Sequence, residues 1–305
     1  MKWVAGTSGE MYRCRSDVDL YNRFADTVFL GRNGPAAIQR TPDGLYSFDH
    51  LDELRKMQYL PKEADTLFDQ VELCRSAFAW DPEEELTLLS SLVPQEAQIL
   101  DAGCGWGRLM KPLTDMGFVV DGYDASHNCI QFCKSQKLAL GRCHVAEFGE
   151  LCSPDTYDLI FAAMNSARYC NDVTQFIKFL SSSARSLREN GRLALQLTVS
   201  EARPIFYCQS WDFLHEGKSF EIAFELLDYD LRRQVCHDVV RLRQTGRDGE
   251  YAEIQRQLLI TEEFLDFYLF QSPHFVLESV IRNGGRVTDS LPLQGNYWFI
   301  LKKRY

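Results

Sequence analysis

Short apolar runs alternate with helix-like stretches between residues 86 and 200, and this alternation restricts the fold more than any other feature of the chain. The apolar runs are QILDAGC, FVVDGYD, CHVAEF, YDLIFAAMN and RLALQLTVS. Between them lie RLMKPLTDM, HNCIQFCKSQKLAL and DVTQFIKFLSSSARSLRE, which have apolar residues at helical spacing. Strands that alternate with helices pair in parallel through right-handed crossovers. The pattern therefore predicts an α/β doubly wound, Rossmann-like sheet.

The pattern of helix-like and strand-like stretches changes outside this segment, and it predicts four regions. We expect a helical amino-terminal lid or extension over 1–85, with helical patterns in 16–30 and 50–80, and the α/β core over 86–200. An antiparallel β-meander is expected over 201–260, inserted for substrate binding or oligomerisation. A helix and two closing strands are expected over 261–305. The completed sheet would have seven strands, with the last one antiparallel.

Two local predictions concern helix ends in the core and in the final segment. Ser126 and Thr261 each stand directly before a helix-like stretch, where a hydroxyl caps free backbone N–H groups. The helix in RLMKPLTDM is expected to present Leu109, Leu113 and Met116 on one face and to end at Gly117. The long helix in DVTQFIKFLSSSARSLRE is expected to end near Asn190.

The amino-acid composition indicates which partners and which cellular compartment to expect for this protein. The formal net charge is −10, and an acidic surface repels phosphate backbones, which argues against a nucleic-acid partner. The sequence has no apolar run long enough to cross a bilayer and no signal-peptide core at Met1, so we expect a cytoplasmic protein without membrane contact. The ten cysteines form no CxxC pair and are expected as free core thiols, with no metal site.

The stretch ILDAGCGWGRLM brings three glycines, Gly103, Gly105 and Gly107, between the first core strand and its helix. A helix amino terminus offers unpaired N–H groups, and glycine lets a ligand approach them and lets the chain turn tightly. Doubly wound folds bind ligands at the carboxyl ends of their strands. The loop is therefore predicted to cradle a ligand.

Carboxylates around this loop indicate which ligand it takes. The GxGxG spacing differs from the GxGxxG of dinucleotide sites, and Asp101 suits an amino group or a cation better than a pyrophosphate. Asp124 ends the second strand, where a carboxylate can hold two ribose hydroxyls. Glu147 follows the third strand and can accept from an adenine amino group, although Glu150 lies nearby. Phe148 offers a backbone N–H or a ring for stacking.

An amino acid, a ribose and an adenine together make up S-adenosylmethionine, and here the sequence resembles the class I S-adenosylmethionine-dependent methyltransferases. ILDAGCGWGRL resembles their glycine-rich motif, VDGYDAS their ribose motif, HVAEFGEL their adenine segment and YDLIFAAMNSARY their fourth-strand motif. The resemblance covers 86–200, and 201–260 resembles the inserted strands of small-molecule methyltransferases. It implies cofactor contacts at Asp101, Gly103, Cys104, Gly105, Gly107, Asp124, Ala125, Glu147, Phe148 and Asn165.

Candidates for the acceptor side follow the fourth and fifth strands. Asn165 ends the fourth strand and faces cofactor or substrate, or simply makes a turn. Tyr169 and His215 are the candidate catalytic residues, because the pKa of an imidazole suits proton removal near neutrality. Candidate substrate contacts are Tyr207, Trp211 and Tyr21. Further positions weighed are His237 on a predicted strand, and Tyr12 and Phe24, which line a lid or belong to a core.

The implied activity is methyl transfer to an oxygen, nitrogen or carbon nucleophile of a small organic molecule, by in-line displacement. The segment AMNSARY has no Pro-Pro aromatic motif, which argues against nucleobase amines, and Asn165 replaces the acid of metal-dependent catechol enzymes. Three alternatives stay open: a pericyclase-like or binding protein that holds the cofactor without transfer, a nicotinamide-dependent oxidoreductase, and a protein methyltransferase. Exposed meander strands would allow a homodimer.

Overall fold

The computed structural model describes residues 2–5, 11–14, 27–31, 34–37, 67–136, 142–150, 152–199, 208–246, 250–282, 285–286 and 295–304. The chain divides into two compact units. The first unit comprises Met1–Ala79, Ala202–Asp230 and Val235–Gln257, and the second comprises Trp80–Glu201, Leu231–Gln234 and Leu258–Tyr305.

Strands outnumber helices in the described part of the chain. The amino-terminal half contains β1 (Lys2–Ala5), β2 (Met11–Cys14), β3 (Thr27–Gly31), β4 (Gly34–Ala37), α1 (Val71–Ala77), α2 (Glu83–Ser91), β5 (Gln98–Ala102), α3 (Met110–Asp115), β6 (Val119–Asp124), α4 (His127–Ser135) and β7 (Cys143–Val145). The remainder contains β8 (Tyr157–Ala162), α5 (Val173–Ser186), β9 (Leu187–Val199), β10 (Cys208–His215), β11 (Lys218–Asp230), β12 (Val235–Gln244), β13 (Glu250–Leu258), α6 (Glu262–Phe264), β14 (Phe275–Arg282), β15 (Gly285–Arg286) and β16 (Gly295–Lys303). Short 3₁₀ turns cover Leu67–Asp69 and Ser166–Tyr169, and a π-helical turn, Leu265–Phe270, continues α6.

The second unit is built on one mixed sheet, with the strand order β15-β14-β16-β9-β8-β5-β6-β7. Strands β5 to β9 pair in parallel, whereas β16 is antiparallel to both β9 and β14. The predicted α/β doubly wound sheet with an antiparallel closing strand is confirmed, with β15 as a two-residue addition at the edge. Because β8 and β6 lie on opposite sides of β5, the strand order reverses at β5, which is where such folds bind ligands.

The central strands of this sheet are buried because their residues are apolar on both faces. Ile99, Leu159 and Phe161 have no exposed surface, as parallel strands covered by helices on both sides require. Helix α3 packs against β6 through Met110, whose sulfur would lie 2.7 Å from a Cβ added at Gly122. Gly122 therefore lets the helix that follows the glycine-rich loop approach the sheet closely.

Helix ends largely follow the predicted capping signals. Ser126 Oγ accepts the Cys129 N–H, and Thr261 Oγ1 accepts the Phe264 N–H, so both predicted caps are confirmed. Helix α5 ends at Ser186 rather than near Asn190, because Leu187 already pairs with Tyr157 of β8. The predicted apolar face of α3 is wrong only at Met116: Leu109 and Leu113 are buried, but Met116 lies past the six-residue helix and is exposed.

The first unit contains a six-stranded sheet with the order β10-β11-β12-β13-β3-β4. Strands β10, β11 and β12 pair antiparallel, as the meander prediction requires, although β10 itself was expected as a loop. The helical pattern over 16–30 is wrong at its end, because Thr27–Gly31 forms β3 and pairs in parallel with β13. Its β-branched and aromatic residues suit a strand, and tertiary pairing decides between the two states.

The amino-terminal region therefore contains strands as well as helices. Strands β1 and β2 pair antiparallel with each other, as do β3 and β4. The helix expected over 50–80 is described from Leu67 onward, where α1 forms, and the rest of it lies outside the described residues. No helix in the described part of the chain is long and apolar enough to span a membrane.

Candidate functional site

The three glycines of the loop after β5 all adopt left-handed backbone angles. Their φ values are +74° at Gly103, +54° at Gly105 and +84° at Gly107. Residues with a Cβ rarely adopt these angles, so the alternate glycines make the tight path of this loop accessible. The sequence prediction of a glycine-dependent turn at this position is confirmed in its geometry.

Gly103 and Gly105 are glycine for different reasons. A Cβ at Gly103 would lie 2.8 Å from Ser166 Cβ and 3.0 Å from Phe148 Cζ, so the residue is enclosed by packing. A Cβ at Gly105 would meet no atom within 4 Å. The loop is therefore closed on its Gly103 side and open at Gly105, which leaves room for a ligand to approach the backbone there.

The end of β6 holds this loop through its backbone and one carboxylate. The Tyr123 carbonyl accepts the N–H groups of Gly103 and Cys104, each at 2.9 Å. Asp124 Oδ2 accepts the Gly105 N–H at 2.9 Å, and Oδ1 accepts the Ser126 N–H at 2.8 Å. Asp124 therefore organises the loop through both of its carboxylate oxygens. The predicted contact between Asp124 and a ribose stays a prediction.

Asp101 is buried within the sheet, with only 4% of its surface exposed. Burial raises the pKa of this carboxyl group well above its usual value; the Arg108 guanidinium opposes the shift, and the carboxylates of Asp124 and Glu85 add to it. Arg108 itself pairs with Glu85 through two hydrogen bonds of 2.5 and 2.8 Å. The predicted contact between Asp101 and a ligand stays a prediction.

Three thiols lie beside the loop. Cys104 and Cys133 are hydrogen-bonded to each other, as are Cys133 and Cys143, and Cys133 Sγ lies 3.4 Å from the Gly105 carbonyl oxygen. The hydrogen bond from Cys133 lowers the pKa of Cys104, but burial and nearby carboxylates outweigh it and raise the pKa to about 12. A thiol in this state is a poor nucleophile. The predicted contact between Cys104 and the cofactor stays a prediction.

The end of β7 carries the predicted adenine residues. Glu147 is half-buried, and its N–H donates to the Glu150 carboxylate at 2.8 Å. The Phe148 ring meets Tyr123 and Phe179 edge-on, with centroids 5.9 and 4.9 Å apart. The Glu150 carboxylate therefore closes the turn over 147–150. The Phe148 ring lies beside Gly103 and is held there by Tyr123 and Phe179.

The end of β8 is a strained turn that the sequence did not reveal. Met164 and Asn165 are consecutive non-glycine residues with φ values of 50° and 62°. Gln196 Oε1 accepts the Met164 N–H, and Asn165 Oδ1 accepts the Thr198 N–H, both at 2.5 Å. Asn165 thus takes part in the turn, and its predicted contact with cofactor or substrate stays a prediction. The one available signal for Gln196 was a polar residue within the apolar strand RLALQLTVS.

The candidate acceptor residues are distributed over both units. Tyr169 is half-buried in the second unit, in the turn that follows β8. Trp211 and His215 lie on β10 of the first unit, where Trp211 Nε1–H donates to the Ala77 carbonyl at 2.7 Å and His215 Nδ1 lies 3.0 Å from Ser76 Oγ. His237 is buried in β12. Tyr21, Phe24, Tyr207 and the side chain of Tyr12 lie outside the described residues. The catalytic and substrate roles assigned to these residues stay predictions.

The described part of the chain contains no group of three or more His, Cys, Asp and Glu side chains that could hold a metal ion.

Comparison with known proteins identifies the class that this fold and loop define. Residues 99–191 match the family model of the methyltransferase domain. The amino pentose methyltransferase CalS10 of Micromonospora echinaspora, solved with bound S-adenosylmethionine, has a TM-score of 0.59 at 16% identity, over 73% of this chain and 89% of its own. The sugar N-methyltransferase KedS8 of Streptoalloteichus has a TM-score of 0.55 at 15% identity, over 88% and 99%. The CcbJ methyltransferase of Streptomyces caelestis has a TM-score of 0.60 at 16% identity, over 74% of this chain and 90% of its own.

A search of curated proteins found no significant match. The resemblance drawn from the sequence motifs is nevertheless confirmed at the level of the fold: residues 99–191 match the model of the methyltransferase domain, and the chain has the fold of the class I S-adenosylmethionine-dependent methyltransferases.

Proposed function

We propose that this protein transfers a methyl group from S-adenosylmethionine to a small organic acceptor. The observation that supports this most strongly is the loop at Gly103–Gly107, which is open at Gly105 and whose amide there is held by Asp124. This arrangement lies at the carboxyl ends of β5 and β6, within the segment that matches the methyltransferase domain.

The residues around the loop suit this cofactor part by part. Asp124 is the carboxylate proposed to accept from the two ribose hydroxyls, and Glu147 and Phe148 stand at the end of the next strand for the adenine. The open side of Gly105 leaves space for the amino-acid portion, with Asp101 as the nearby acid of the motif. The GxGxG spacing, in place of GxGxxG, argues against a pyrophosphate.

S-adenosylmethionine supplies a methyl group on a cationic sulfur, so the chemistry of the leaving group comes with the cofactor. The protein has to bind and align the two reactants and exclude water. Such alignment contributes about 7–11 kcal/mol to lowering a barrier. The hydrogen-bonded amides at Gly103, Cys104 and Gly105 suit that task, because they fix the path of the loop at the proposed cofactor site.

A base is required only when the acceptor carries a proton on the attacking atom. His215 is our candidate, and its Nδ1 is engaged by Ser76 Oγ, which leaves Nε2 to take the proton. A positioned base contributes about 10²- to 10⁴-fold to a rate. An acceptor that already carries a negative charge would not need His215, so the pH dependence of the rate separates the two cases.

Amino sugars are the first acceptors to test. CalS10 is described as an amino pentose methyltransferase and KedS8 as a sugar N-methyltransferase, and both share the fold of this chain. Phenols, carboxylic acids and other amines follow, since the attacking atom of the acceptor is part of the proposal that the motifs leave open. An oligomer formed through the meander is a further prediction, tested by light scattering.

The proposal is tested by calorimetric titration with S-adenosylhomocysteine and with NAD, using the wild type, Asp124→Ala and Asp115→Ala. Asp115 is an exposed carboxylate in the same unit, paired with Lys111 in α3, and serves as the matched control. We expect micromolar binding of S-adenosylhomocysteine to the wild type and to Asp115→Ala, with at least tenfold weaker binding to Asp124→Ala. Binding of NAD instead would favour an oxidoreductase.

A second measurement separates methyl transfer from binding alone. Methyl-labelled S-adenosylmethionine is incubated with the wild type and a panel of amino sugars, phenols and acids, and label is followed into product. Transfer that is lost in Asp124→Ala supports the enzyme. Tight binding without transfer to any acceptor class would favour the pericyclase-like or binding role.

A further inference from the structure

The turn at the end of β8 stores backbone strain that its own sequence does not relieve. Met164 and Asn165 are both in the left-handed region, with φ of 50° and 62°, although neither is glycine. Such conformations persist only where the surrounding structure holds them. The ladder between β8 and β9 ends at the pair Ala162 and Leu195, so regular strand pairing does not hold this turn.

Two side chains continue the ladder where the backbone pairing stops. Gln196 on β9 accepts the Met164 N–H of the turn, and Asn165 in the turn accepts the Thr198 N–H of β9. The two bonds run in opposite directions between the same two segments. Gln196 therefore holds Met164, the first residue with a positive φ, and Asn165 forms a second hydrogen bond between the turn and β9.

The held turn sets the next residue, Ser166, against the glycine-rich loop. Ser166 Oγ lies 2.6 Å from the Ala163 carbonyl oxygen and 3.3 Å from the Gly103 carbonyl oxygen, so it can donate to either. Its Cβ would lie 2.8 Å from a Cβ added at Gly103. A shift of the turn by a few tenths of an ångström would therefore reach Gly103 directly.

We infer that Gln196 is a positioning residue for the glycine-rich loop. By accepting the Met164 N–H, it keeps the left-handed turn in place and keeps Ser166 seated against Gly103. It acts through Ser166 and does not itself contact a ligand. The inference rests on the proposed function only for the choice of S-adenosylhomocysteine as the probe.

The choice of glutamine at this position has a chemical reason. Gln196 stands between Leu195 and Leu197, which are both fully buried in β9. An apolar residue there would fit the strand equally well but would leave the Met164 N–H without its acceptor. A glutamate would preserve an acceptor oxygen at the same reach, which makes Gln196→Glu the conservative variant.

The first test is the dissociation constant of S-adenosylhomocysteine for the wild type, Gln196→Leu, Gln196→Glu and Gln175→Leu. Gln175 is the matched control, because its Oε1 also accepts a backbone N–H, that of Asn171, at 2.5 Å but on the exposed side of α5. We expect about tenfold weaker binding for Gln196→Leu, corresponding to the loss of one hydrogen bond to a buried amide. Gln196→Glu and Gln175→Leu should stay within about threefold of the wild type.

The second test uses glycine to remove the strain. A glycine at position 164 adopts a positive φ without help from Gln196. In the Met164→Gly background, Gln196→Leu should therefore weaken S-adenosylhomocysteine binding by less than about threefold, instead of about tenfold. A role for Gln196 in general stability would give the same loss of affinity in both backgrounds. That equality would overturn the inference.

A measurement without ligand separates this inference from the proposed function. In protein labelled with ¹⁵N-glycine, the Gly103 amide resonance should move in Gln196→Leu and stay in place in Gln175→Leu. If the wild type failed to bind S-adenosylhomocysteine, the proposed function would fail while the resonance still tested the positioning role. An unmoved Gly103 resonance in folded Gln196→Leu overturns the inference. If that variant does not fold, the Met164→Gly, Gln196→Leu double variant is compared with Met164→Gly alone, and a Gly103 resonance that moves between these two overturns the inference, because glycine at 164 should make Gln196 dispensable.

Discussion

The large sheet of the second unit and the six-stranded sheet of the first unit bury very different strands. In β5 and β8, apolar residues such as Ile99 and Phe161 occupy both faces. In β12 and β13 the buried positions include His237, Asp238, Gln255 and Gln257. The strands of a parallel sheet covered on both faces by helices are mainly apolar, whereas the strands of an antiparallel meander can alternate between apolar and polar residues. The predicted ligand contacts of the second unit accordingly lie at or just beyond the ends of strands.

Each sheet also contains one buried carboxyl group among the described residues, and the two differ in their surroundings. Asp101 lies beside Arg108, Asp124 and Glu85 in the sequence that leads to the glycine-rich loop. Asp238 lies on β12 opposite Leu226, and its Oδ1 has no hydrogen-bond partner in the described part of the chain. The first belongs to a charged cluster beside the glycine-rich loop, and the second has one carboxylate oxygen without a partner among the described residues. Three substitutions test how far this difference extends.

The largest effect is expected from Gly103→Ala, compared with Gly217→Ala. Both glycines have nearly the same φ, +74° and +73°, but only Gly103 is enclosed, and a Cβ at Gly217 meets no atom within 4 Å. Gly217→Ala should lose about 1–2 kcal/mol from backbone strain alone. Gly103→Ala should lose about 2–5 kcal/mol, because overpacking against Ser166 and Phe148 adds to the strain.

Thermal and denaturant unfolding measure both variants, and titration with S-adenosylhomocysteine measures the site. Gly103→Ala should also weaken binding by more than tenfold, whereas Gly217→Ala, in the turn between β10 and β11, should leave it unchanged. Equal losses of stability in the two variants would show that packing at Gly103 contributes nothing beyond its backbone angle.

Asp101→Asn is expected to stabilise the protein at neutral pH, by about 1–3 kcal/mol. Burial raises the pKa of Asp101 in the folded state, so the folded protein binds this proton more tightly than the unfolded chain. Its contribution to stability is therefore fully present below the unfolded pKa of about 4 and is lost as the pH rises through the raised folded value. The asparagine variant lacks this loss.

Melting temperatures of the wild type and Asp101→Asn, measured from pH 4 to pH 8, provide the test. The difference between the two should grow with pH, whereas exposed Asp115→Asn should show no such growth. A constant difference across this range would mean that Asp101 is not the group that titrates. A gain in stability accompanied by weaker S-adenosylhomocysteine binding would indicate that the acid is retained for the ligand.

Asp238→Leu should give the smallest effect, a gain of about 1 kcal/mol in the free energy of unfolding. The leucine fills a similar volume and removes a buried oxygen that has no partner within the described residues. Asp212→Leu is the control, because Asp212 is an exposed acid on β10 of the same unit and should change stability by less than about 0.5 kcal/mol. Destabilisation by Asp238→Leu would mean that this acid stabilises the meander.

Prediction from sequence was most accurate where a residue acts on its immediate neighbours. Ser126 and Thr261 cap the helices that directly follow them, and Gly103, Gly105 and Gly107 adopt the angles that only glycine reaches easily. Strand β10 was missed, although Gly217 was a local sequence signal for the turn that follows it. Glu216 and Gly217 both have positive φ between the paired residues His215 and Lys218, which is the geometry of a two-residue hairpin turn.

The sequence by itself determined the alternation of strands and helices, the parallel core, the glycine-rich loop and Asp124 at the end of the neighbouring strand. These features depend on periodicity and on local backbone chemistry, which a single sequence contains. Only the tertiary structure decided that Thr27–Gly31 pairs with β13, that Asp101 is buried, and that Gln196 holds Met164. Each of these depends on which distant segments meet, because burial and hydrogen bonding between segments are properties of the packed chain.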